Sequence, residues 1–213
     1  MNRNLEVKKA FTDFVEEYDR FMNDTRHAFA RKKVLEKLYS EIKGKVLDVA
    51  TGTGDVAIDI AKYTKATEIE GVDFSEEIIK KARKKARKEN VKIKFSVQNV
   101  ERLNYPDEIF DIVICCLGVS WFTDKRKSLK EIKRVCKKEG KIILLEEEAT
   151  KLSVQKLASQ SEKIRRFEEL EEYISIEGIK NLMSSINCKL LKETSLVKID
   201  ENHGLVGLIF TKK

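Results

Sequence analysis

The stretch Lys45 to Ala61, KVLDVATGTGDVAIDIA, sets the carboxylates Asp48 and Asp55 against the glycines Gly52 and Gly54. A glycine has no Cβ and lets a ligand approach the backbone. A helix opening at Asp55 offers N–H groups that no residue of that helix can satisfy. Together they describe a turn that cradles a nucleotide-like ligand, and the neighbouring residues narrow which one. A triphosphate cradle needs Lys-Ser/Thr after its last glycine. Here Asp55 and Val56 follow Gly54, and an acid at a helix start repels phosphate. Gly52, Gly54 and Ala57 do fit a dinucleotide turn, with Asp73 about twenty residues on as the ribose-binding acid. Against that reading, Asp48 closes the strand below the turn and Asp55 follows it, so a pyrophosphate would meet two negative charges. A cationic ligand without phosphate suits the segment better.

Such a turn works only if the surrounding elements hold it at a sheet edge. KVLDVA reads as a strand and Asp55–Tyr63 as a helix. TEIEGVD is the next strand, and Ser75–Glu89 a helix with Ser75 as its N-cap and two glutamates in its first turn. VKIKFSVQ alternates at period two. FDIVICCL is nearly continuous in apolar residues, as a strand covered on both faces must be. Leu129, Ile132 and Val135 mark a further helix, and GKIILLEEE a further strand. Helices are expected over Ser153–Glu172 and Ser175–Asn187. Two closing strands, Leu190–Ile199 and Gly204–Lys212, flank the loop DENHG as an antiparallel hairpin. The alternation predicts an α/β fold with a seven-stranded, mostly parallel sheet, helices on both faces and a C-terminal antiparallel hairpin. Residues 1–44 precede it as a helical arm of the same domain as 45–213. One arm helix covers 5–22, with Leu5, Val7, Phe11, Phe14, Val15, Tyr18, Phe21 and Met22 on one face. A second covers Thr25–Ile42, with Phe29, Val34, Leu35 and Leu38 inward, and Gly44 ends it.

Composition bounds the rest. Of 213 residues, 41% are hydrophobic and 37% charged, enough for one packed core under a charged surface. No apolar run is long enough to span a membrane, and the N-terminal residues do not read as a signal peptide. Cys115, Cys116, Cys136 and Cys188 show no CxxC spacing, which points to a reduced, cytoplasmic protein without a metal centre. The net charge of +7 owes much to KKARKKARKEN, Lys80–Asn90. No aromatic residue interleaves with that run, so a solvated helix face is the preferred reading over a nucleic-acid surface. His27 reads as a helix-surface or capping residue and His203 as a solvated residue of the hairpin loop.

Four stretches in register resemble the motifs of class I S-adenosylmethionine-dependent methyltransferases, and the resemblance spans Lys45 to Glu147. VLDVATGTGD resembles the first motif and EGVDFSEEIIKKARKK the second-strand motif. FSVQNVERL resembles the adenine-contacting segment. FDIVICCLGVSWFTDKRKSLKEIKRVCKKEGKIILLEE resembles the fourth strand, helix and fifth strand, with Glu139-Gly140 where a proline-glycine turn is frequent. The implied fold is Rossmann-like. The implied cofactor is S-adenosyl-L-methionine, which carries an ammonium and a sulfonium but no phosphate, with S-adenosyl-L-homocysteine as product. By the same resemblance Asp48 and the Gly52/Gly54 turn hold the methionyl ammonium and carboxylate, Ala50 and Asp55 also bind the cofactor, and Asp73 accepts from the ribose hydroxyls. Phe74 packs near the adenine, Asn99 bonds its edge with Val100 beside the ring, and Leu117 lies near the methionine part.

Within that class, GTGD and the arm FTDFVEEYDRFMNDTRHAFAR resemble the ubiquinone/menaquinone-biosynthesis C-methyltransferases, with Tyr18-Asp19 and Met22-Asn23 as matching pairs. Two substrate-side stretches depart from them. LGVSW stands where those enzymes carry glycine-x-arginine-asparagine, and HGLVGLIF is poorer in glycine. The expected activity is methyl transfer to a small-molecule acceptor by in-line displacement. Tyr18, Asp19, His27, Trp121 and Glu146 are the pocket-side candidates, with Tyr18 and Trp121 nearest the substrate; no general base is singled out. Other readings are an RNA or protein methyltransferase using the basic helix over 80–88, and a non-catalytic S-adenosylmethionine-binding module. The N-P-P-Y signature of amino-directed nucleic-acid enzymes is absent, since the fourth strand ends CCLG.

Overall fold

The computed structural model describes residues 3, 5–13, 25–149, 172–201 and 203–213. The chain opens with helix α1 at 5–13 and α2 (Thr25–Glu36). It alternates through β1 (Lys43–Val49), α3 (Asp55–Tyr63), β2 (Lys65–Asp73), α4 (Glu76–Lys88), β3 (Lys94–Val97), β4 (Phe110–Cys116), α5 (Lys125–Val135) and β5 (Cys136–Ala149). It closes with α6 (Ile176–Ser185), β6 (Cys188–Glu193), β7 (Val197–Asp200) and β8 (His203–Lys212).

The apolar run of β4 has to lie mid-sheet, and it does, parallel to β1 on one side and β5 on the other. Its side chains alternate between the two covering layers. Ile112 and Ile114 join the core under α2, α3 and α4, while Val113 and Cys115 join the core under α5 and α6. The sheet runs β3-β2-β1-β4-β5-β8-β6, with β7 also on β8. The pairings of β8 with β5, β6 and β7 are antiparallel, as the closing hairpin requires. Ser75 caps α4, its hydroxyl accepting from Ile78 N.

The structure adjusts several sequence-based boundaries. The closing strand expected over Leu190–Ile199 is divided into β6 and β7, which makes eight strands. Thr194 bonds Gly207 twice, N–H to carbonyl at 2.8 Å and Oγ1 from N–H at 2.9 Å. Beyond it, Leu196 folds over Gly204, where a Cβ would stand 2.8 Å from Leu196 Cδ1. α2 stops at Glu36 instead of Ile42, because Leu38 N turns to Leu35 O at 2.8 Å and tightens the chain into a 3₁₀ turn at Tyr39–Glu41. Gly44 therefore does not end a helix. It sits in β1 at φ +75°, where the register against β2 shifts. Phe29 does not face inward: it is 57% exposed, while Ala30, Val34, Leu35 and Leu38 are buried. In the first arm helix, Val7 and Phe11 are buried and Leu5 is exposed. Residues 14–22 and the helix expected over Ser153–Glu172, up to residue 171, lie outside the described residues. Among the described residues no helix is long and apolar enough to cross a membrane.

The burial of α2 gives a direct test. Leu35→Ala is expected to cost about 2–5 kcal/mol of unfolding free energy, and Phe29→Ala no more than about 0.5 kcal/mol, measured by urea denaturation. Equal losses would place Phe29 in the core.

Candidate functional site

The chain moves outward from β1 to β2 and β3, then returns to the other side of β1 with β4. In an open α/β sheet that reversal opens a crevice at the carboxyl ends of the strands. The residues just past the two diverging strands, Ala50 after β1 and Leu117 after β4, both take left-handed backbone, at φ +53° and +57°. For non-glycine residues such a conformation costs of order 1–3 kcal/mol and persists only where neighbours enforce it. Here Leu117 N donates to Leu145 O at 2.8 Å, and Thr51 N to Val72 O at 3.0 Å.

Two hollows meet there, sharing Ala50, Gly52, Cys116 and Leu117 in their walls. The larger encloses about 700 Å³ counted to its open mouth. It brings together Asp73, Phe74, Asn99, Val100 and Trp121 from the sequence-based set. The smaller, about 380 Å³, holds Asp48 and Asp55. α1 walls the larger cleft with Phe11, whose ring meets Trp121 edge-on at 4.9 Å and Phe74 at 5.9 Å.

Asp48 is buried at the end of β1 and accepts from Thr51 Oγ1 at 2.6 Å. Burial pushes its carboxyl up to about 7, against the Thr51 hydrogen bond and with help from the charge of Asp73. Asp73 is also buried; Gly52 N donates to its Oδ2 at 3.1 Å and Ser75 N to its Oδ1 at 3.2 Å. Its carboxyl is pushed by burial to about 6, with those backbone donors opposing. A carboxylate has about four acceptor sites, so both acids keep capacity for a ligand. Asn99 lines the cleft, and its Oδ1 accepts from Glu101 N at 2.9 Å, fixing the turn.

The two glycines of the turn differ in role. A Cβ on Gly52 would meet nothing within 4 Å, so this backbone faces open space in both hollows. Gly54 lines neither. At φ +87° it opens α3, and a Cβ there would press on the Phe95 ring at 3.1 Å and Ala82 at 3.2 Å. Its missing side chain admits α4 and β3 instead of a ligand. Asp55 is likewise not a bare charge, since Lys85 of α4 reaches both its oxygens at 3.0 Å. The repulsion of phosphate expected from Asp55 is therefore blunted, and the missing Lys-Ser/Thr carries the exclusion of a triphosphate.

Glu146 and His27 line neither hollow; Glu146 is buried and accepts from Val119 N at 3.1 Å. His203 is not a solvated loop residue, being buried at the start of β8. Tyr18 and Asp19 lie outside the described residues. Sequence reasoning passed over Phe11, Gln98, Cys116 and Arg31 as lining residues. Arg31 had a signal: it is a cation next to Ala30 and one turn before Val34 and Leu35 on the buried stripe of α2.

A mostly parallel sheet with this reversal, a crevice over two buried acids and a glycine turn without a phosphate lysine defines the class I methyltransferase architecture. A solved S-adenosylmethionine-dependent methyltransferase from Thermotoga maritima has the same fold, with a TM-score of 0.77 at 24% identity over 97% of this chain and 100% of that one. The ubiE/COQ5 methyltransferase family model matches residues 1–165, and the chain belongs to that family. Among curated relatives, demethylmenaquinone methyltransferase of Deinococcus radiodurans is 42% identical over 48% of this chain and 42% of its own. The ubiquinone/menaquinone biosynthesis C-methyltransferase UbiE of Bdellovibrio bacteriovorus is 33% identical over 66% of this chain and 61% of its own. The chain thus spans roughly half the length of the curated relatives it matches.

The raised acids fix a pH dependence for the protein without ligand. Between about 4 and about 7 the folded chain keeps the Asp48 proton that the unfolded chain releases, so stability falls as pH rises through that window. Asp48→Asn is expected to flatten this part of the melting-temperature profile. A variant profile parallel to wild type would show that Asp48 is ionised throughout.

Proposed function

We propose that the protein transfers the methyl group of S-adenosylmethionine to an apolar aromatic small molecule of the quinol type named for its relatives. The observation that carries this is the juxtaposition of two desolvated acids and the open face of Gly52 with a cleft walled by Phe11, Phe74 and Trp121. The residues fit the cofactor. Asp48 lacks water and gains from a cationic neighbour, so it receives the methionyl ammonium, while Arg31 in the same hollow supplies the counter-charge for the carboxylate. Asp73 accepts from the ribose hydroxyls, and Phe74, Asn99 and Val100 enclose the adenine. Leu117 and Cys116 bound the end where the methyl group emerges. When bound, the sulfonium supplies the electrophile. The chain contributes orientation and exclusion of water, which can supply several kcal/mol of the barrier. α1 supports this by closing an aromatic wall over the cleft. The acceptor enters beyond Leu117, on the side of Trp121 and the Gly118–Trp121 segment, where this chain departs from the quinone enzymes' usual pattern.

The basic helix favours a nucleic-acid acceptor less once its partners are counted. Lys80 pairs with Glu77 at 2.8 Å, Arg83 bonds Phe95 O at 2.7 Å and Lys85 holds Asp55. Ile78, Ile79, Ala82 and Ala86 are its buried face.

Calorimetry with S-adenosylmethionine and S-adenosylhomocysteine tests the cofactor. Asp73→Ala and Asp48→Ala are each expected to weaken binding at least about tenfold, the loss of one charge-assisted contact. Because the ammonium favours ionised Asp48, affinity is expected to rise with pH up to about 7 and to fall above about 8, where an α-amino group loses its proton. Absence of heat with either ligand would overturn the reading. Radiolabelled methyl transfer tests the acceptor. Label is expected in a demethylated quinol and in the organic extract of a lysate; label in the RNA or protein fraction alone would replace this acceptor class.

A further inference from the structure

The chain has two histidines, His27 and His203, and the fold brings them together. In the antiparallel register of β5 and β8, His203 lies opposite Ala149 and Leu205 opposite Glu147. His203 and Glu147 are therefore diagonal neighbours on one sheet face, a gap long side chains bridge. Nε2 of His203 stands 2.9 Å from Glu147 Oε2. α2 covers this face and sits close because Gly207 has no side chain: a Cβ there would lie 2.9 Å from Leu38 and 3.0 Å from Val34. The start of α2 thereby sets His27 edge-on to His203, with ring centroids 5.5 Å apart. One donor atom from each of His27, Glu147 and His203 lies within 4.8 Å of the others.

We propose that His27, Glu147 and His203 form a binding site for one divalent ion of the zinc class, with a fourth position left to water or a bound small molecule. Two imidazoles and one carboxylate suit such an ion, whereas calcium and magnesium prefer all-oxygen shells. Donors about 2.0–2.2 Å from a tetrahedral ion sit roughly 3.3 Å apart. The His203–Glu147 edge is already near that length, and the His27 donor, within 4.8 Å of the others, has to draw closer on binding. Burial holds the His27 ring below its ordinary value, with Glu147 opposing and His203 assisting. Nothing in the sequence spacing announces this trio, which is drawn from α2, β5 and β8, and the sequence-based expectation of no metal centre rested on cysteine spacing alone. The site stands independently of the methyl acceptor. Its place is nonetheless informative, since Arg31 lies one turn further along α2, in the wall of the hollow that holds Asp48.

Metal-free protein, kept reduced, is titrated with Zn²⁺ by calorimetry and with Co²⁺ by visible absorption. One ion per chain is expected, with d–d bands but no intense thiolate charge-transfer band, and a higher melting temperature in Zn²⁺. His27→Gln and Glu147→Gln are each expected to weaken binding about tenfold or more; their metal-free melting curves show whether they fold, and half-buried His27 is the safer site. Three results overturn the proposal. One is no binding at millimolar Zn²⁺, which leaves the trio as a polar clamp between helix and sheet. Another is affinity unchanged in a folded His27→Gln. The last is a thiolate band that Cys116→Ser removes.

Discussion

Two carboxylates stripped of water govern this molecule. Asp48 and Asp73 end adjacent parallel strands, and the alternation that buries Val46, Leu47 and Val49 under helices carries the acids out of water with them. An isolated buried charge is expensive, so each acid either holds its proton or finds donors. The turn after β1 supplies part of the answer by aiming Gly52 N at Asp73 and Thr51 Oγ1 at Asp48. In the proposed function a cationic ligand completes it. The glycine turn, often read as a phosphate signature, here leaves open backbone at Gly52 beside two buried acids.

The precision of the arrangement comes from backbone that is held against its preference. Ala50 and Leu117 sit left-handed at the crevice, Leu117 tied to β5 by its own N–H and Ala50 followed by Thr51, whose N–H is tied to β2. Neither residue type seeks that conformation. The ladder imposes it, so the shape of the cleft belongs to the sheet and survives without ligand. α1 adds an aromatic wall that packs through Val7 and Phe11 on Ile78, Phe74 and Trp121.

How much of this could be read from the sequence follows from what each feature depends on. Periodicity and capping are local, and they located α3, α4, β4 and the Ser75 cap closely. The placement of the acids and Gly52 at the crevice was legible because it depends on position relative to a strand end. Gly54 was misjudged because its constraint is tertiary: only the approach of Phe95 and Ala82 shows that it admits protein instead of ligand. Asp55 looked like a free charge because Lys85, on the next helix, is invisible to local reading. Phe29 and Ala30 are consecutive residues on a helix whose apolar stripe is narrow, and a pattern of apolar letters cannot say which of the two faces in. His203 was placed in solvent because the hairpin was drawn with a loop longer than the chain makes; β8 starts at that residue and buries it.

The interruption between β6 and β7 has a consequence for how copies of this protein meet. A sheet that ends in a long, flat strand offers unpaired backbone to any other strand, and that is a route to fibrous association. Here the outer strand at one side is cut by Thr194 to Leu196, and Lys189, Lys192 and Glu193 on it are exposed. At the other side β3 is only four residues long and begins with an exposed lysine. Neither margin can template a neighbour over more than a few residues. Among the described residues, both flanks of the sheet are thus short or interrupted and carry exposed charge.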